Sequence, residues 1–514
     1  MANPIKDNLF VLIQSLSKSE KRQFKLYVHR LGDNTDAKFL MLFTHLEKMK
    51  EYNEEDILKS KIVSKMQISN LKAHLYKQIL ISLRMNPVNQ NIRIQIREQL
   101  DFATILYHKG LYKQSLKILD KTKQIAIEQE EKNIAFEIVE LEKIIESQYI
   151  TRSIGDRANS LAIQAKELSR QNVIASKLSN LSLQLYNIML KTGYAKSDYE
   201  LQEITKYFNK QMPKYAFETL GFREKLWLYK AHLWHSFLIQ DFLSCYKYSR
   251  KWVDLFYENP QMINLNPVWY IKGTTYLLEC LYLIKHQSYL KKTLVMFNIN
   301  VTSDLFPKND NLSSLYFLCN YGTQFNLHFL EGNFEGGLYL VDETLKKLKE
   351  NKDRIDEHHV MVFYYKIACL YFGMGNNIKC IDYLKKIIDN KNLVMREDLM
   401  CFSRVLSLVA HYDASLDYHL ELQLKSTYKF LIKMNDLHEV QREMIKFLKN
   451  LGTIYPHQIK SEFKKLHARL IQFEDHPYEK RAFLYLDIIS WLESKIENKP
   501  VAMIIQEKAK KLIR

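Results

Sequence analysis

The sequence predicts an all-α chain of stacked helical hairpins behind an N-terminal helical module, on three observations. Of its 514 residues only 13 are Gly and 9 are Pro, where average usage would supply roughly 60 of the two together. Sheets, sandwiches and barrels need turns every ten or so residues, so this scarcity argues against them. Apolar residues recur at steps of three and four almost everywhere, and strand-type alternation is not sustained anywhere. A hairpin pattern of aromatic-rich helix, tight turn and second amphipathic helix recurs at several places along the chain.

Composition sets the broad class. A hydrophobic content of 47% with 26% charged residues is that of a folded chain, too long for one compact core. Glu279 and Lys366 interrupt the longest apolar stretches, so no membrane span of about eighteen residues is expected. The apolar run Leu9 to Ile13 is too short for a secretory leader, and a cytoplasmic location is expected. The six cysteines (Cys245, Cys280, Cys319, Cys369, Cys380, Cys401) form no C-x-x-C pair and sit among apolar residues, which predicts buried free thiols.

The net charge is +17. Counted in successive fifty-residue windows the excess runs from −3 to +4, so no segment dominates. A dispersed lysine excess describes a solvated helical surface better than a nucleic-acid footprint.

Residues 1–88 are expected to form the N-terminal module. SKSEKRQFKLYVHR opens on Ser17 or Ser19 with Glu20, an N-cap signature, and DAKFLMLFTHLEKM supplies another helix. In NEEDILKSKIVSKMQISNLKAHLYKQI, a first helix over Glu55 to Val63 and a second capped by Ser69 make a helix-turn-helix-like pair. Its second helix shows Asn70, Lys72 and His74 on the outer side, residue types that read base edges and phosphates. The competing reading is an amphipathic capping helix on Leu71, Leu75, Ile79 and Leu83. The module ends at NPVNQN, because Pro87 disfavours helix at Asn86.

Residues 89–514 carry the hairpins, in a chain of about twenty-five helices of ten to twenty residues. The segment Leu111 to Ile127 aligns Leu111, Ser115, Leu116, Leu119, Thr122, Ile125 and Ala126 on one stripe. The copies are FATILYHKGLYKQSLKIL from Phe102, WLYKAHLWHSFLIQDFLSCYKYS from Trp227, FNLHFLEGNFEGGLYLV from Phe325 and YYKIACLYFGMGNNIKCIDYL from Tyr364. They resemble the tetratricopeptide repeat, in which small residues let paired helices approach and a Gly takes the left-handed turn. Ala103, Leu106, Gly110, Tyr112 and Ser115 match those roles in one copy, Ala368, Tyr371, Gly375 and Cys380 in another, and Gly332, Phe334 and Gly337 in a third. The resemblance implies a right-handed α-solenoid. The C-terminal KAKKLIR could be a basic tail, but Ala509, Leu512 and Ile513 give it an amphipathic face that reads better as a final capping helix. Turn positions near Asp241, His286, Gly332, Gly375 and Asp413 lie 45, 46, 43 and 38 residues apart, longer than the family's usual spacing of about thirty-four.

Over both ends and the middle, LIQSLSKSEKRQFKLY, LEKIIESQYITRSIGDRA, SRKWVDLFYENPQMI, KSTYKFLIKM and DIISWLESKIENKP are similar to a group of roughly 500-residue proteins of the Bacteroidetes, Flavobacteria in particular. That resemblance implies a bacterial cytoplasmic setting and a helical-repeat architecture, and brings no catalytic residues.

No enzyme chemistry is legible. GNFEGG at Gly332 lacks the Lys of a phosphate-binding loop, and no G-x-S-x-G elbow occurs. His232 and His235 share a helix face without a third metal-ligand spacing, and the adjacent His358 and His359 diverge by about 100°. EQEEKN, Glu128 to Asn133, reads as a solvated turn. No catalytic residue, metal or cofactor is therefore expected. The expected function is a non-enzymatic scaffold that binds a protein or peptide, an acidic segment given the charge balance, along the concave groove of the superhelix. Trp227, Lys230 and Trp234, spaced at three and four, are the candidate contacts. The alternative is a DNA-binding regulator with a peptide-sensing repeat domain, its nucleic-acid contacts being Asn70, Lys72 and His74.

Overall fold

The computed structural model describes residues 7–30, 38–86, 91–148, 156–390, 397–433, 438–450, 455, 457–483 and 487–512. Among these residues it contains 25 α-helices, a few short 3-10 turns and no strand. The chain divides into two compact units, Met1–Leu168 and Ser169–Arg514.

The first unit begins with α1 (Asn8–Ser15), α2 (Lys18–Arg30), α3 (Lys38–Lys48), α4 (Glu54–Lys59) and α5 (Ile68–Met85). Their apolar faces meet in a core of their own that includes Ile13, Phe24, Phe43, Leu46, Ile57, Leu75 and Ile79. Phe24 and Phe43 hold α2 against α3 at 4.7 Å between ring centroids. The start of α2 is a capping box: the Glu20 amide donates to Ser17 Oγ at 3.2 Å, and the Ser17 amide donates to Glu20 Oε2 at 2.8 Å.

The helix-turn-helix-like pair departs from expectation at its ends. The first helix is the six-residue α4 rather than Glu55 to Val63, and Asn53 caps it. The second starts at Ile68, one residue before Ser69, with Gln67 in the cap position and no side-chain cap bond. Asn86 ends α5 in an extended conformation, as the following proline requires; the rest of the expected boundary, 87–90, lies outside the described residues.

A second core in this unit joins α6 (Ile92–His108), α7 (Tyr112–Glu128), α8 (Lys132–Gln148) and the start of α9 (Arg157–Thr192). Ala103 and Ser115 are both fully buried, and the Ser115 hydroxyl donates to the Ala103 carbonyl at 2.8 Å. Small side chains are what permit that approach of α6 and α7. α9 runs 36 residues, well beyond the length expected from the sequence.

The second unit contains α10 (Asp198–Gln211), α11 (Phe222–Leu238), α12 (Phe242–Glu258), α13 (Gln261–Leu265), α14 (Pro267–Leu283), α15 (Gln287–Thr302), α16 (Asp310–Glu331), α17 (Tyr339–Glu350), α18 (Glu357–Gly373) and α19 (Asn377–Ile388). It continues through α20 (Glu397–Asp413), α21 (Asp417–Lys433), α22 (Glu439–Asn450), α23 (Ile459–Leu470), α24 (Ile488–Glu497) and α25 (Val501–Leu512). Most consecutive helices pack on one another, and the alternate helices α14, α16 and α18 also touch in series. Of the six cysteines five are buried and Cys369 is half-buried, and all are free thiols. No helix among the described residues is long and apolar enough to cross a membrane.

One turn geometry recurs through both units. The first helix of each hairpin ends on a left-handed residue at Gly110, Glu130, Gln240, Lys285, Gly332, Gly375 and Ser415. After Gln240, for example, the Asp241 amide reaches back to the Ser236 carbonyl at 3.0 Å while the Gln240 amide bonds Phe237. The same two bonds close the turns at His286, Asn333, Asn376, Leu416, Leu111 and Glu131. This is the Schellman arrangement, which satisfies carbonyls left over at a helix end. In the second unit the left-handed position returns every 40 to 47 residues, from Gln240 through Ser415.

The last helix does more than cap its predecessor. α25 packs on α24 and also on α16, where the Gln506 side-chain amide donates to the Gly332 carbonyl at 3.0 Å. The connection before α24 likewise reaches distant elements: Tyr478 donates to Asp198 Oδ1 at 2.6 Å and Glu474 lies 3.6 Å from Lys285.

Candidate functional site

The first helices of two successive hairpins present matching side chains. α11 carries Trp227, Lys230, Ala231 and Trp234; α14 carries Trp269, Lys272, Gly273 and Tyr276 at the same internal spacing. The small residue in each set lets a neighbouring helix close in. At Gly273 the reason is explicit: an added Cβ would stand 2.6 Å from Nε1 of Trp252, a fully buried side chain on α12.

Packing of α11 beside α14 brings Trp227 and Trp269 into an edge-on contact at 4.9 Å. The Lys230 ammonium sits 4.7 Å from the Trp227 ring and 4.9 Å from the Trp269 ring, while that of Lys272 lies 5.9 Å from Trp269. Neither lysine forms an ion pair among the described residues. Burial, and then the like charge of Lys272, lower the Lys230 pKa to about 8. The indole faces supply part of the missing counter-charge through their quadrupoles.

Trp227 and Lys230 are therefore brought together as one half-buried surface feature. Trp234 is not part of it. It is 8% exposed, enclosed by Tyr186, Phe237 and Tyr276 at 4.8, 5.7 and 5.7 Å, so it belongs to the core. Trp269 and Lys272 complete the cluster and escaped the sequence reading, although the repeat of W-x-x-K one hairpin later is visible in the chain.

Farther along the same series of helices, the Lys366 ammonium on α18 donates to Asn326 Oδ1 on α16. Burial lowers its pKa to about 8, against the opposing pull of Glu279 on α14. It is thus engaged within the fold.

The other sequence candidates have structural partners. His232 stacks on Tyr248 and His235 on Phe208, each at 4.3 Å. Burial lowers the His232 pKa to about 4, so the ring is neutral at physiological pH. His359 Nδ1 donates to Asp356 Oδ2 at 2.6 Å at the start of α18. No group of three His, Cys, Asp or Glu side chains among the described residues is arranged to hold a metal ion.

In the N-terminal module Asn70 and His74 are exposed and line a small cleft of about 290 Å³ with Lys38, Gln67 and Leu71. Lys72 points elsewhere: it pairs with Asp7, accompanied by the Tyr52 hydroxyl at 2.8 Å. The three residues of the nucleic-acid reading do not form one cationic surface.

No protein-family model matches the chain, and no curated protein is significantly similar to it.

Proposed function

We propose that the second unit is a non-enzymatic scaffold that binds an acidic protein or peptide segment on the α11/α14 face, in a cytoplasmic setting. One observation carries this reading. Two lysines without carboxylate partners are held beside two half-buried indoles, on helices whose other aromatic residues are committed to the core.

The chemistry favours a carboxylate-bearing ligand. A carboxylate placed between Lys230 and Lys272 relieves their mutual repulsion, and the Trp227 and Trp269 edges give apolar area beside it, the combination found at binding hot spots. A regularly stacked set of helices offers an extended surface on which such a segment lies.

The test is an array of acidic and neutral twelve-residue peptides probed with the full chain and with its Lys230→Gln/Lys272→Gln variant. Selective capture of acidic peptides that is lost in the variant supports the reading. Equal capture by both proteins overturns it.

A further inference from the structure

The N-terminal module holds a cationic surface of its own. Lys18, Lys21, Arg22, Lys25 and His29 project from one side of α2 at steps of three and four, and with Leu26 and Glu47 they line an open cleft of about 600 Å³. Glu47, on α3, pairs with Lys25 at 2.8 Å and reaches Lys21 at 4.0 Å. Lys18 and Arg22 are exposed and have no ion-pair partner among the described residues.

From the geometry we infer that this side of α2 binds double-stranded nucleic acid through its phosphate backbone. Eleven residues separate Lys18 from His29, a rise of about 16 Å along a helix. A duplex carries one negative charge per about 1.7 Å of its axis, both strands counted, so a row of this length meets several phosphates. A peptide matches this charge density only if it is acidic throughout. The row contains no Phe, Tyr or Trp on which bases would stack, and Leu26 is its only apolar member; contacts to the phosphate backbone fix a protein on a duplex without reading its sequence. The cationic surface of the module thus lies on α2, while Lys72 on α5 is neutralised within the fold.

Fluorescence anisotropy of a labelled 30-base-pair DNA duplex of arbitrary sequence, titrated with the full chain, tests the proposal. Four phosphate contacts give a slope of about −3.6 in log affinity against log salt, a loss of about 100-fold between 50 and 200 mM. Lys18→Glu/Arg22→Glu is expected to weaken binding at least tenfold at fixed salt and to flatten the slope by about 2. Lys113→Glu/Lys117→Glu, the same charge change on exposed positions of α7, is expected to weaken it far less. An RNA duplex of equal length that binds with the same dependence on Lys18 and Arg22 supports a phosphate-only contact. The proposal is overturned by absence of binding at 50 mM salt, by equal losses in the two charge-reversed variants, or by a polyglutamate peptide competing better than the duplex.

Discussion

Gly273 on α14 lies directly against the indole of Trp252 on α12, so close that a methyl group on Gly273 would stand 2.6 Å from Nε1 and 2.7 Å from Cδ1. Trp252 has no room to withdraw, being fully buried beside Trp269 and Tyr276. This contact sets how near α14 comes to α12, and hence where Trp269 and Lys272 are presented.

Gly273→Ala is therefore expected to destabilise the second unit by about 1–3 kcal/mol, the cost of overpacking a filled core. Gly322→Ala provides the contrast. Gly322 lies inside α16 with open space where a Cβ would go, so the substitution is expected to stabilise by about 0.4–1 kcal/mol. Urea titrations of the two variants check the opposite signs.

The left-handed turns predict a second pair of opposite effects. Ser415 holds φ 56° with a side chain exposed to solvent, and Ser415→Gly is expected to gain about 1 kcal/mol. Gly375→Ala, at φ 78° and with nothing near its Cβ, is expected to lose a similar amount. Gly332→Ala is expected to cost more than either, because its Cβ would also stand 2.7 Å from the Ala502 carbonyl oxygen of α25. Thermal melts of the three variants rank them.

Glu142 in the first unit is fully buried, with Lys123 at 2.6 Å and Arg157 at 3.3 Å. Burial raises its pKa to about 7 in spite of Lys123. Because this folded-state value lies above the ordinary one, the group adds stability that is fully present below about pH 4.5 and is lost as pH rises through about 7. The first unit is expected to protect its amides against hydrogen exchange less well at pH 8 than at pH 5, after correction for intrinsic rates, and Glu142→Gln is expected to flatten that difference. Lys123→Met, which strips the buried carboxylate of its partner, is expected to cost about 3–5 kcal/mol above pH 7.

The proposed binding of an acidic segment is expected to depend on pH through Lys230. Its free-state pKa of about 8 must rise when a carboxylate arrives, so the protonated form binds more tightly. Affinity for an acidic peptide is expected to fall as pH increases through about 8, and Lys230→Gln is expected to lessen that fall. Titrations at pH 7 and pH 9 measure it.

Much of the architecture was legible because its signals are local. Glycine at 110, 332 and 375 marks three left-handed turns, and all three adopt positive φ. The same turn at Glu130, Gln240, Lys285 and Ser415 uses residues with no such signature, since there the backbone bonds rather than the side chain set the conformation. The packing of α25 on α16 joins residues 174 positions apart and leaves no periodic trace. The site was half legible for a related reason. Trp227 and Lys230 share one helix and therefore one spacing rule; their partner Trp269 belongs to the next hairpin, and only packing shows that it meets them while Trp234 is turned into the core. Lys72 was misplaced because Asp7, 65 residues away, neutralises it.

Lys230 and Lys272, flanked by Trp227 and Trp269, are proposed to receive an acidic segment. The most direct measurement is calorimetric titration of a glutamate-rich peptide into the full chain and into Lys230→Gln/Lys272→Gln, with circular dichroism confirming that both are folded. Affinity is expected to be at least tenfold weaker in the variant, with loss of the indole fluorescence change expected on binding to the unaltered chain. Equal affinity in the two proteins, with an unchanged fluorescence response, would contradict it.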